Sequence, residues 1–124
     1  MNATQKPRLL VVDDALIMRT MIKDIARNAG WEIAGEATTG AEAVARYREL
    51  KPDLVTLDIV MPEMDGVEAL RTIRGEDPAA RIVMVSAIDQ RAKLTECIHL
   101  GAHDFVVKPF DRQALRSLFV GLLP

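Results

Sequence analysis

The chain has 124 residues, 49% hydrophobic and 27% charged, with a formal net charge of −2. That is the size of one domain with one core, and the absence of any run of like charge argues against direct binding to DNA or RNA. No stretch reaches the ~18 apolar residues of a membrane span, and "MNATQKPR" lacks the apolar segment of a secretory signal, so a cytoplasmic, membrane-free domain is expected.

The first apolar run, "RLLVV" at 8–12, precedes a helical pattern over 15–29 in which Ile17, Met21 and Ile25 repeat at i, i+4, i+8. "EIAGEA" at 32–37 precedes a second helix over 39–50; Trp31 packs where the chain enters that strand. "DLVTL" at 53–57 leads to a helix over 66–74, and "RIVMVS" at 81–86 to one over 90–100, with Cys97 as a small core residue. "DFVVK" at 104–108 leads to the last helix, 111–122, where Leu115, Leu118, Phe119 and Leu122 make one apolar face. Gly30, Gly75 and Gly101 mark helix ends, and Asp111 is placed to cap the last helix. The runs Leu9–Val12, Leu54–Leu57 and Ile82–Val85 are apolar on both faces, as parallel strands covered by helices on two sides must be. The pattern predicts an α/β fold, a doubly wound (βα)5 three-layer sandwich forming a single domain over 1–124 with its core at about 8–122. Right-handed crossovers bring the strand C-termini to one edge, where ligands bind.

At that edge the first strand delivers Asp13 and Asp14, the third Asp58, the fourth Ser86 and the fifth Lys108. Two carboxylates ~5 Å apart repel by about 3 kcal/mol at an effective dielectric of roughly 20. A divalent cation among them removes the repulsion. Oxygen-only donors with room for water favour Mg²⁺ over Ca²⁺. A metal with open positions can also hold a phosphoryl group, with Lys108 and the Ser86 hydroxyl as complementary donors. Asp58 then reads as a carboxylate nucleophile that accepts it.

The strings "LLVVDDA", "PDLVTLDIVMPEMDG", "VMVSA" and "GAHDFVVKPF" closely resemble the response-regulator receiver family of two-component signalling, over nearly the whole chain. The resemblance implies a five-stranded parallel sheet of order 2-1-3-4-5, the flavodoxin-like arrangement. It implies Asp58 as phosphoacceptor, Asp14 as a direct Mg²⁺ ligand, Asp13 as a ligand through water, and the backbone carbonyl of Val60 as a further contact. It makes Ser86 the switch hydroxyl, Lys108 the lysine before a cis Pro109, and Phe105 a rotating switch aromatic. Val60 and Ile88 are apolar where many relatives are polar, and slow self-dephosphorylation is expected. A flavodoxin-like cofactor binder would need a Ser/Thr/Gly-rich phosphate loop in place of "DDALIM", and a haloacid-dehalogenase-type phosphatase a second Asp where this chain has Val60.

Within the family, "GEATTGAEAV" and "YRELKPDLVTLDIVMPEMDG" look most like single-domain chemotaxis regulators. That likeness implies a signalling switch rather than an enzyme with a separate substrate, fed by a CheA-like sensor histidine kinase. It also implies a monomer that signals to the flagellar motor switch protein through its fourth helix, fifth strand and fifth helix, with Gln90, Arg91, Lys93 and Arg112 facing solvent there. The alternative is a receiver cut from a larger regulator with a DNA-binding or enzymatic output. His99 and His103, separated by Gly101, are expected to be surface residues rather than a metal site.

Overall fold

The structure, a computed structural model, describes residues 5–87 and 89–124. Ten elements alternate: β1 (Arg8–Val12), α1 (Leu16–Asn28), β2 (Glu32–Ala37), α2 (Gly40–Leu50), β3 (Leu54–Asp58), α3 (Gly66–Glu76), β4 (Ile82–Ala87), α4 (Arg91–His99), β5 (Asp104–Lys108) and α5 (Arg112–Gly121). The five strands form one parallel sheet in the order β2-β1-β3-β4-β5. The order reverses between β1 and β3, so the ends of those strands face the crevice where ligands bind in doubly wound sheets.

Successive residues of a strand point to opposite faces, and this separates the core into two clusters. Leu9, Val11, Leu54 and Val83 face α1 and α5, where they pack on Ile22, Ile25, Ala26, Leu115 and Phe119. Leu10, Val12, Val55, Leu57, Ile82 and Met84 face the other way, against residues of α2, α3 and α4 that include Val44, Leu70, Ile73, Leu94 and the buried Cys97. The indole of Trp31 is buried and donates from Nε1 to the carbonyl of Phe119 at 2.9 Å, tying the entrance of β2 to α5.

Two local readings of the sequence need correction. In α1 the buried stripe is Ile22, Ile25 and Ala26, whereas Ile17 is 72% exposed and Met21 only half-buried. Eight residues advance a helix by about 800°, some 80° past two full turns, so an i, i+4, i+8 row drifts off the core face. Gly75 does not end α3, which runs on to Glu76; the residues with positive φ just after helices are Gly30 (φ 106°), Lys51 (φ 46°) and Gly101 (φ 100°). No helix among the described residues is long and apolar enough to cross a membrane.

Candidate functional site

Asp13 leaves the end of β1 fully buried, with every polar group engaged. Its N–H donates to Ala37 O at 3.1 Å, Oδ1 accepts from the Ala15 N–H at 2.9 Å, and Oδ2 accepts from Lys108 Nζ at 2.9 Å. Asp14, next in the chain, is exposed. Asp58 is the last residue of β3 and is 6% exposed, with an oxygen 3.4 Å from Lys108 Nζ. The three carboxylates each offer an oxygen within 4.8 Å of the others, and among the described residues they are the one group of this kind.

Burial is the largest influence on Asp58 and, with the neighbouring Asp13 charge, pushes its carboxyl up to about 6 against the opposing pull of Lys108. Burial works against the Lys108 ammonium as well, but the hydrogen bond and charge of Asp13, with those of Asp58, outweigh it and hold it above the usual lysine range. The Ser86 hydroxyl, near the end of β4, is buried and has no hydrogen-bond partner among the described residues. An unpaired buried hydroxyl costs about 1–3 kcal/mol, and this one follows Val85, the register partner of Asp58, so an acceptor bound at the strand ends can take its bond. An all-oxygen cluster with one exposed member, beside an ammonium and a free hydroxyl, fits a hard divalent cation and an anionic group bound together.

The loop after β3 is set by two glycines that the sequence analysis passed over. A Cβ on Gly66 would lie 2.0 Å from the Asp58 carbonyl oxygen, and one on Gly40 would lie 2.1 Å from that of Met64. The Gly66 N–H donates to Ile59 O at 2.6 Å and the Gly40 N–H to Met64 O at 2.8 Å, so the loop carrying Val60 is clamped between the starts of α2 and α3. The signal was present in "TTG" and "MDG". Each puts a glycine, a poor helix former, directly after a capping residue, Thr39 or Asp65.

The side chain of Val60 is half-exposed, and Ile88 lies outside the described residues. The Lys108–Pro109 peptide is cis. Phe105 is 45% exposed on β5; Arg91 and Lys93 are exposed on α4, and His99 and His103 are exposed as well. Gln90 differs from its solvent-facing reading: it is half-buried and its Oε1 accepts from the N–H of Ala87, the last residue of β4, at 2.9 Å. Arg112 is exposed, but its guanidinium meets Asp24 of α1 at 2.7 Å rather than standing free beside α4 and β5.

The sequence profile of the response regulator receiver domain matches residues 9–119. The chain is 57% identical over 104 residues to the chemotaxis protein CheY of Thermotoga maritima and 54% identical to that of Bacillus subtilis, in each case covering 84% of this chain and 87% of the relative. A chain in the crystal structure of the CheX–CheY–BeF3–Mg²⁺ complex from Borrelia burgdorferi superposes with a TM-score of 0.86 at 36% identity, over 93% of this chain and 89% of that one. These similarities support a chemotaxis regulator and do not favour a receiver with a DNA-binding or enzymatic output. A profile match over most of the chain and relatives above 50% identity establish that the chain belongs to the response regulator receiver domain family.

Proposed function

We propose that the protein is a cytoplasmic chemotaxis messenger that accepts a phosphoryl group on Asp58 from a phosphohistidine of a CheA-like kinase. The observation that carries this is a buried carboxylate at a strand end, facing Lys108 and grouped with Asp13 and Asp14. In the transfer an Asp58 oxygen forms the new O–P bond as the donor's N–P bond breaks. The departing imidazole keeps that electron pair and takes up a proton. Lys108 turns its ammonium to an oxygen of the transferred group, and the Ser86 hydroxyl, which has no partner to give up, donates to another. Mg²⁺ supplies neutralisation of the charge on the phosphoryl oxygens during transfer. The exposed Asp14 and Asp58, with the Val60 carbonyl, would hold it directly, and Asp13, whose oxygens are taken by Ala15 and Lys108, would act through water.

The signal leaves through α4, β5 and α5. Movement of Ser86 towards the phosphoryl group gives Phe105 room to turn inward, biasing a two-state surface. Arg91 and Lys93 present positive charge there to an acidic or amphipathic segment such as that of the flagellar motor switch protein, which the protein meets as a monomer. Intact-mass spectrometry with acetyl phosphate tests the chemistry. One phosphoryl group is expected on the wild type with Mg²⁺, and none on Asp58→Asn or in EDTA. Equal uptake by Asp58→Asn, or uptake undiminished by EDTA, overturns the mechanism.

A further inference from the structure

We infer that Arg19 is a positioning residue for the metal site: its guanidinium, anchored by Glu36, fixes the peptide that joins Asp13 to Asp14. The inference rests on the Mg²⁺ reading above. Arg19 lies in the first turn of α1, and its largely buried side chain donates from Nη1 to the Asp13 carbonyl at 2.8 Å and from Nε to Glu36 Oε1 at 3.0 Å. Lys23, one turn on, takes the other oxygen of Glu36 at 3.0 Å. Glu36 stands on β2 opposite Val11 of β1, so the fork is braced against the sheet. Burial alone would raise the Glu36 carboxyl, but its bonds to Lys23 and Arg19 hold it below the usual range, in keeping with a carboxylate used as an anchor.

The need for a brace comes from the helix it precedes. The N-cap of α1 is Ala15, which has no side chain to tie the loop down, and the first turn holds no acidic residue. Asp13 is held by its N–H and both carboxylate oxygens, which leaves its carbonyl as the remaining handle on the plane of the Asp13–Asp14 peptide. The direction in which the exposed Asp14 carboxylate leaves the chain follows from that plane. Arg19 alone occupies the handle among the hydrogen bonds of the described residues.

Charge and position make opposite demands, which gives the test its sign. A guanidinium near three carboxylates repels an incoming dication, so if Arg19 acted only as a charge, removing it would tighten Mg²⁺ binding. A positioning residue has the reverse effect, and loss of an outer group that orients a ligand typically weakens metal affinity by about tenfold or more. Lysine keeps the charge and loses the fork.

The experiment is calorimetric Mg²⁺ titration of the unphosphorylated full chain, with melting in EDTA recorded for each variant. Arg19→Met is expected to bind Mg²⁺ roughly tenfold more weakly and Arg19→Lys several-fold more weakly than wild type. Glu36→Ala, at a half-exposed position, is expected to fold and to weaken binding by about threefold, with no further loss when added to Arg19→Met. A variant that merely loosened the fold would melt lower in EDTA and keep the wild-type dissociation constant. Arg19→Met binding as tightly as wild type or tighter overturns the inference; should that variant not fold, Arg19→Lys binding like wild type does so. A wild type that takes up no Mg²⁺ overturns the metal reading, and this inference with it.

Discussion

Asp58 and Thr56 stand two apart on β3, both buried and both polar, yet their energetic consequences differ. The Asp58 carboxyl titrates in the fold at about 6 against 3.8 for a free group. The folded state therefore holds a proton that the unfolded chain has released between those values. Stability should fall as pH rises through that window and stay low above it, by up to about 3 kcal/mol for a shift of some two units. Asp58→Asn removes the dependence: in EDTA its stability gain over wild type should be near zero below pH 3.8 and largest at pH 7, as read by urea denaturation across pH. Thr56 Oγ1 has no partner among the described residues and lies inside β3 rather than at its end. Thr56→Val should raise stability by about 1 kcal/mol in the same measurement and leave phosphoryl uptake unchanged. Neither hydroxyl, of Thr56 or of Ser86, announces its lack of a partner in the sequence, because satisfaction of a buried group depends on what other strands and helices bring to it.

Helices α2 and α3 owe their starting positions to steric exclusion. Gly66 lets α3 begin against the Asp58 carbonyl, and Gly40 lets α2 begin against the loop at Met64. Gly66→Ala has no room and should cost roughly 3 kcal/mol, with weaker Mg²⁺ binding because the Val60 loop moves. Gly75→Ala is the contrasting case. Among the described residues nothing beyond its own chain neighbours and helix backbone lies within 4 Å of the added methyl, and alanine is the better helix former, so it should stabilise by about 0.5–1 kcal/mol. Guanidinium denaturation of the two variants distinguishes a glycine required by contact from one that is only tolerated. In the sequence Gly75 reads as a helix stop, whereas the requirement for glycine at Gly40 and Gly66 is a close approach between distant segments, which has no local periodicity.

The whole molecule gathers acidic charge at one edge of the sheet and balances it with a single lysine from β5. A cation that binds only the folded form should raise its stability by about 2.7 kcal/mol at a hundred times its dissociation constant. Scanning calorimetry should accordingly show a higher melting temperature in Mg²⁺ than in EDTA. Asp14→Asn should melt above wild type in EDTA, because one repulsion is gone, and should gain little from Mg²⁺. An Asp14→Asn protein no more stable than wild type without metal would show that solvent screening at this exposed position already removes the repulsion.

By itself the sequence determined the five βα repeats, the doubly wound class and the identity of the polar residues at the strand ends. Alternation of apolar runs with helical periodicity is local, and in a parallel sheet every strand must end on the same edge. It did not determine which face of α1 is buried, since an i+4 row of apolar residues drifts around a 3.6-residue helix and only packing against the sheet selects the stripe. It did not show that Arg112 is drawn to Asp24 or that Gln90 folds back on Ala87, because both depend on partners placed by the fold. The tertiary structure alone decided that Asp13 is saturated with hydrogen bonds while the adjacent Asp14 is open to solvent. Two identical side chains next to each other in sequence acquire different chemistry only when one is buried at the sheet edge and the other, still within the carboxylate cluster, is left open to solvent.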